Sequence, residues 1–447
     1  MAAGGAVAPV RDTAGEQVSH VLRRARRAMS DASTPAKLRW LLIGLLALVL
    51  IWGITAASTV AEHASAGSNA VSVSEPLSLD AQQIYRSLSD ADATEAAAFL
   101  SGGLEPLSLR HRYEADITQA ARRLEAATAA AGNSAAGTRL ATLAAGLPEY
   151  TGLIETARAN NRQGFPVGAA YLAQASSLMR STLLPAARDL YAQENAQLSA
   201  ADNRATALPY LALVVAVLAG IALYRSQRWL TARTNRIVNP GLLLASLAGL
   251  ASAVWLLSAV TVARTNFDVA RDQGSAPVEA MARADIAALQ AHADESLTLI
   301  SRGGDASYQQ DFLSLQRRLG PGTGTLLSTA SALALGSPGG SQAAAAARGA
   351  PAWFATHARV RLLDNGGRYA DAVHLAIGSG ASSSGVLFDR LDSHLTNAVR
   401  ADQTQFRSAA TAGQGDLAGL EAGVIVLAVI MAAGCAWGIS RRLEEYR

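Results

Sequence analysis

The chain has 447 residues, half of them apolar and only 16% charged, a balance that suits a membrane protein better than a soluble one. Aromatic residues are few, and lysine occurs once, at Lys37, with arginine supplying the rest of the basic charge; the bulk should be helix packed through small side chains. The single cysteine, Cys435, excludes an intramolecular disulfide and a cysteine-based metal cluster.

Four segments are apolar and free of charge for about the 20 residues that a membrane crossing needs: Trp40–Ser58, Ala207–Tyr224, Pro240–Val262 and Ala422–Ile439. None contains Asp, Glu, Lys, Arg or His, the groups that line ion and substrate paths at membrane depth, which argues against transport. Flanking basic residues set the orientation. The tail 1–39 carries Arg11, Arg23, Arg24, Arg26, Arg27, Lys37 and Arg39. The loop 225–239 carries Arg225, Arg228, Arg233 and Arg236 without an acid, and the tail 440–447 carries Arg441, Arg442 and Arg447. All three pieces are expected in the cytoplasm, placing 59–206 and 263–421 outside a multi-pass protein of the cell membrane. Trp40, Trp229 and Trp437 then fall at the inner boundary, where indoles favour the interface. This placement accounts for the pI near 9.2 as a topology signal, not a nucleic-acid surface. A cleaved signal peptide ending at Ala64-Ser65-Ala66 is the rival for the first span, and the long basic segment before it argues against that.

Within 59–206 the breakers predict helices over 77–101, 108–131, 135–162 and 167–205, the outer two continuing into spans. Gly102-Gly103 with Pro106 close the first corner, Gly132-Asn133 the second, and Asn161 to Pro166 the third. Tyr113, Ile117, Ala120 and Leu124 form one apolar stripe, as a bundle core requires. The second half repeats the first. "YEADITQAARRL" (113–124) and "YQQDFLSLQRRL" (308–319) share Y-x-x-D and R-R-L without a gap. "YTGLIETARANNRQGFPVGAAYL" (150–172) aligns ungapped with "WFATHARVRLLDNGGRYADAVHL" (353–375), and "DADATEAAAFLSGG" (90–103) more loosely with "HADESLTLISRGG" (292–304). The expected fold is therefore an all-α membrane protein: four transmembrane helices with two tandem extracytoplasmic antiparallel four-helix bundles, related as a parallel internal duplication. The glycine-rich stretches 320–325, 336–341 and 378–385 make the second bundle less regular, with long flexible corners. In the membrane, Gly241, Ala245, Gly249 and Ala253, with Gly434 and Gly438, mark close helix packing.

No catalytic constellation stands out. The seven histidines are scattered, and no zincin, Walker or nucleophile-elbow motif occurs; no enzyme, metal or cofactor is expected. The cytoplasmic pieces are too short to bury a core of their own, so any output needs a partner. The stretch Glu155 to Leu172 breaks the alanine-rich pattern. Glu155 and Arg158 can pair along a helix, and Asn161, Gly164 and Pro166 can end it and turn. That account leaves Asn160 and Arg162 beside Arg158, a donor cluster suited to a carboxylate on a ligand or partner. The group Glu155, Arg158, Asn160, Asn161 and Arg162 is the candidate outside site, expected low on the bundle near the membrane. Replacing Arg158 and Arg162 by alanine should abolish docking without unfolding. The repeated Tyr113, Asp116, Arg122 and Arg123 read as structural pairs.

Two outside bundles, four spans and the segments "DADATEAAAFLSGG", "RYEADI" and "GLIETARANNRQGFPVGAAYL" resemble the actinobacterial GlnX family of four-span membrane signal transducers. The architecture covers nearly the whole chain, whereas the segments lie mainly in the first half. Each half is also similar to the sensor domain of bacterial chemoreceptors. The resemblance implies sensing of extracellular aspartate and glutamate together with a solute-binding lipoprotein, GlnH-like, outside and a Ser/Thr kinase, PknG-like, inside. Arg225, Arg228, Arg233 and Arg236 are then candidate kinase contacts as well as topology determinants. Direct small-molecule binding, as in chemoreceptors, and a structural or accessory role remain the alternatives.

Overall fold

The computed structural model describes residues 34–131, 136–234, 239–302, 304–416 and 419–444. The arginines before residue 34, the corner at Gly132-Asn133, Arg236 and Arg447 lie outside the described residues. Every regular element among the described residues is helical. The chain divides into two compact units: residues 62–207 with 261–416, and the remainder, which holds the four apolar segments.

In the apolar unit, four helices are long and apolar enough to cross a membrane. They comprise α1 (Thr34–Asn69), α7 (Tyr210–Thr234), α8 (Pro240–Ala270) and α15 (Leu420–Glu444). The small-residue ridge of α8 marks close packing, and the structure shows its partner to be α15. A Cβ on Gly241 would collide with Gly438 and with the carbonyl of Gly434, and one on Gly434 would press on the Gly241 carbonyl at 2.7 Å. Backbones this close leave no room for side chains, which is why glycine stands at each position. Asn239 closes the contact: its Nδ2 donates to the Gly438 carbonyl at 2.7 Å, and its Oδ1 accepts from the Gly241 amide at 3.1 Å. A Cβ on Gly53 of α1 would sit 3.1 Å from Ala428 of α15.

The other unit contains both repeats. The first holds α2 (Glu75–Leu100), α3 (Leu107–Ala131), α4 (Gly137–Arg162), α5 (Val167–Leu178) and α6 (Leu184–Ala205). The second holds α9 (Ala276–Ile300), α10 (Ser307–Leu319), α11 (Leu326–Leu333), α12 (Gly340–Asn365), α13 (Tyr369–Ile377) and α14 (Ser384–Asp416). Residues 320–325 split the second pass of the later bundle, and residues 378–383 split its fourth. Four helical passes thus become six helices, cut at the glycine-rich stretches.

Proline leaves a signature in each half. Pro76, Pro185 and Pro277 lack the N–H that would bond four residues back, and their rings crowd that carbonyl. One turn widens in response: residues 70–74, 179–183 and 271–275 are π-helical, with Glu75, Leu184 and Ala276 donating five residues back to Ala70, Met179 and Arg271. The turns at 70–74 and 271–275 occupy equivalent places before α2 and α9. Helix therefore runs unbroken over 34–100 and again over 240–300. The departing side differs from expectation: α6 ends at Ala205 and α7 starts at Tyr210, because Pro209 follows three residues that have left the helix.

Each half has its own core. Tyr150, Ile154, Leu143 and Met179 are fully enclosed in the first, and Trp353, Phe312, Phe388 and Leu395 in the second. Two smaller clusters join the halves. One gathers Ala70 and Leu198 with Phe267 and Phe406, and the other sets Leu100 among Leu299, Val360, Ala372 and Ala376. Between them α2 lies against α9, and arginines bridge the halves. Arg86 reaches Asp285 at 2.8 Å and Asp392 at 2.5 Å, Arg112 reaches Asp389 at 2.8 Å, Arg180 reaches Asp294 at 2.5 Å, and Arg407 reaches Glu75 at 2.9 Å.

Candidate functional site

The third corner lies somewhere other than expected. Helix α4 runs in the same direction as α2, two reversals later, so both finish at the end of the bundle opposite residues 62 and 207. Asn161 Nδ2 donates to the Phe99 carbonyl at 3.2 Å, tying the third corner to the first. The site is therefore not low on the bundle near the chain's crossing points but at its free end.

Arg158 is likewise corrected. It is 4% exposed and stands on the inner face of α4, where one turn of helix separates it from the enclosed Ile154. Its Nη2 and Nε donate to the two carboxylate oxygens of Glu95 at 2.6 and 3.1 Å, a bidentate pair between α4 and α2. Glu105, carried in by the first corner, lies 3.1 Å from Nε, and Nη1 donates to Glu155 at 2.7 Å. The Tyr113 ring stacks on the guanidinium with its centroid 4.3 Å away. Arg158 is thus fully engaged by the chain's own acids. The two partners respond differently. Arg158 is held firmly charged, whereas burial, outweighing the pull of Arg158, lifts the Glu95 carboxyl to about 7. Three carboxylates share one guanidinium, so the most deeply buried of them is the one that resists ionisation.

The rest of the expected cluster is scattered around this pair. Glu155 is half-exposed on Arg158. Asn160 turns back to the Thr156 carbonyl on its own helix at 2.8 Å. Arg162 is exposed. Gly164, with φ +71°, takes the left-handed step that ends α4, and its repeat mate Gly367 does the same at +77°. Both corners at the free end expose apolar side chains: Leu104 is 87% and Leu107 70% exposed at the first, and Phe165 52% and Val167 47% at the third. In the apolar unit, Arg225 and Arg228 are exposed on α7, while the side chain of Arg233, like Arg236, is outside what the structure describes.

The second half builds a different site at the equivalent place. Arg361, the repeat mate of Arg158, pairs with Asp364 and Asn365 on its own helix. The buried acid Glu295 is held instead from one turn earlier, by His357 Nδ1 at 3.0 Å, with His292 Nδ1 at 3.6 Å. Ser384 Oγ donates to Glu295 at 2.6 Å and accepts from Trp353 Nε1 at 3.0 Å. His357 stacks on Phe312 and His292 on Phe388, at 3.4 and 4.1 Å between ring centres. Burial works against ionisation of Glu295, but hydrogen bonding and electrostatic attraction from His292 and His357 outweigh it and draw the carboxyl down to about 2. Ser384 and Glu295 do not form a nucleophile site, because the carboxylate separates the hydroxyl from the imidazole. Among the described residues no three His, Cys, Asp or Glu side chains are placed to hold a metal ion.

Sequence reasoning missed Glu95 and Glu295. Each is the last acid before the apolar end of its helix, in "ATEAAAFL" and "ADESLTLI", and an acid running into an apolar helix end was the available signal. His292 and His357, far apart in the chain, gave no sign that they meet.

Residues 66–203, which span the whole of the first bundle, match the family described as an actinobacterial sensor domain. No curated protein and no solved structure matches the chain.

Proposed function

We propose that this chain, with an actinobacterial sensor domain at residues 66–203, is a non-enzymatic transmembrane transducer. It relays the supply of extracellular aspartate and glutamate from a solute-binding lipoprotein outside to a Ser/Thr kinase inside. The state of Arg158 carries this reading. Direct capture of an amino-acid carboxylate calls for a guanidinium ready to pair with it, and Arg158 already pairs with Glu95, Glu105 and Glu155. The amino acid is then recognised on a partner, and the chain receives a docked protein. The free end of the first half supplies the surface: Leu104 and Leu107 are exposed at its first corner, and Phe165 and Val167, close in sequence to the exposed Arg162, at its third. An apolar patch edged by an arginine is the composition of an interface core. The unbroken helix over 34–100 offers one piece of chain that can slide or rotate as a unit. Arg225, Arg228, Arg233 and Arg236 are the proposed inner contacts of the kinase.

The test uses the full chain in nanodiscs and the glutamate-loaded lipoprotein. Binding is expected, and Leu104→Glu with Phe165→Glu should weaken it by about tenfold or more at unchanged helix content. Binding of aspartate or glutamate to the chain alone, measured by calorimetry, would replace this reading with that of a direct receptor. Absence of both interactions would favour an accessory role.

A further inference from the structure

The face between the halves holds more acid than base. Asp90 of α2, Asp116 of α3, and Asp285, Asp389 and Asp392 from the second half surround only Arg86 and Arg112. Arg86 Nε donates to Asp285 at 2.8 Å, and its Nη2 donates to Asp392 at 2.5 Å and Thr396 at 3.1 Å. Arg112 Nε donates to Asp90 at 3.0 Å and its Nη1 to Asp389 at 2.8 Å; its Nη2 lies 3.5 Å from Asp392. Two carboxylate oxygens are left over. Asp116 Oδ2 and Asp285 Oδ1 are buried without a hydrogen-bond partner, on residues 9% and 3% exposed. Asp116 faces Asp90, and Asp285 faces Asp392. Facing carboxylates cannot both stay ionised in a buried place, and an unpaired buried acceptor is costly.

We propose that this face is a proton-binding site in which Asp116 shares one proton with Asp90 and Asp285 shares another with Asp392, and that loss of these protons parts the two halves. Each step is a simple equilibrium: a proton from solvent adds to a carboxylate oxygen, which then donates to its neighbour, and the proton returns to water or buffer on release. With both protons bound, each aspartate pair keeps one negative charge against Arg86 and Arg112, and Asp389, at 57% side-chain exposure, faces solvent. The charge then balances in the buried part. The groups facing Asp116 are Asp90 and Arg86 from α2 and Arg112 from its own helix; those facing Asp285 are Arg86 and Asp90 from α2 and Asp392 from α14. Burial, with the neighbouring aspartate, raises Asp116 to about 8 and Asp285 well above the carboxylate range. The site is independent of the docking surface and adds external pH to what the protein senses.

The experiment compares the full wild-type chain in nanodiscs with the Asp116→Asn/Asp285→Asn variant, whose amides can donate without ionising. Hydrogen exchange in α2 and α9, corrected for the intrinsic rate, is followed from about pH 6 to about pH 10. Wild-type protection should fall by about tenfold or more across that range, and the variant's by less than about twofold. The infrared carboxylic-acid band at about pH 6 should be weaker in the variant. An equal loss of protection in both proteins, or an unchanged band, overturns the proposal. So does a variant that keeps its helix content at about pH 6 but is already unprotected in α2 and α9, since that is the mark of a removed anion. Asp116→Asn alone, expected to retain half the difference, serves if the double variant does not fold.

Discussion

The ends of the two halves bury the same kind of acid and treat it in opposite ways. Glu95 meets one arginine that two further carboxylates also claim, and its carboxyl is pushed up to about 7. Glu295 meets two histidines and a serine with no competing acid, and its carboxyl is drawn down to about 2. Burial is nearly complete for both, so the surrounding charge decides the outcome. A duplicated fold has kept the position of the acid and exchanged its partner. The first half carries a strained ion cluster beside an exposed apolar end; the second carries a closed, aromatic-walled network.

The largest effect that would break this comparison is expected from Arg158→Ala. Removing the guanidinium that holds the buried Glu95 should cost about 3–5 kcal/mol of stability, measured by denaturation of the full chain in detergent. The equivalent change in the second half, Arg361→Ala, removes a local pair and should cost less than about 1 kcal/mol. Near-equal losses would show that Arg158 is merely peripheral. The expectation from sequence that Arg158→Ala together with Arg162→Ala spares the fold fails at Arg158, which is buried and not exposed.

Proton linkage separates the halves next. A carboxyl raised in the folded state binds protons that the unfolded chain has released. The Glu95 contribution is therefore intact below the ordinary glutamate range and lost as pH rises toward 7. A carboxyl lowered in the folded state does the reverse, so the Glu295 contribution is present above the ordinary range and lost as pH falls toward 2. Each arm should amount to roughly 3 kcal/mol. In stability–pH profiles Glu95→Gln should flatten the neutral arm, and Glu295→Gln the acid arm. A Glu295→Gln profile that still falls steeply in acid would discount the histidine network.

Smaller changes sharpen the parallel. Gly164→Ala and Gly367→Ala should each lose about 1 kcal/mol, since both residues hold the left-handed conformation at the same corner. Unequal losses would mean that the corners have diverged as the acids have. Least of all, Arg162→Ala should shift stability by under about 0.5 kcal/mol while still weakening lipoprotein docking in the binding assay.

Much of the frame was legible locally. The helices expected at 77–101, 108–131, 135–162 and 167–205 are found as 75–100, 107–131, 137–162 and 167–205, because glycine and proline act on their own neighbourhood. The small residues at four-residue spacing on α8 and α15 were legible for the same reason, although which helices they bring together was not. The acid–base partners were not. Arg158 has Glu155 within a helical turn, which satisfied a local reading, while Glu95 lies sixty-three residues away. The corner's place required counting helix directions, and that count fails if one reversal is overlooked.

The sequence by itself determined that the chain is helical, fourfold apolar and twice repeated, for these properties follow from composition, period and spacing. Only the tertiary structure decided that the two repeats form one unit, that Arg158 faces inward, and that the aspartates of α2 and α3 stand against those of α9 and α14. Ionisation inside a protein depends on burial and on charges brought together from distant parts of the chain, and neither is written at any single position.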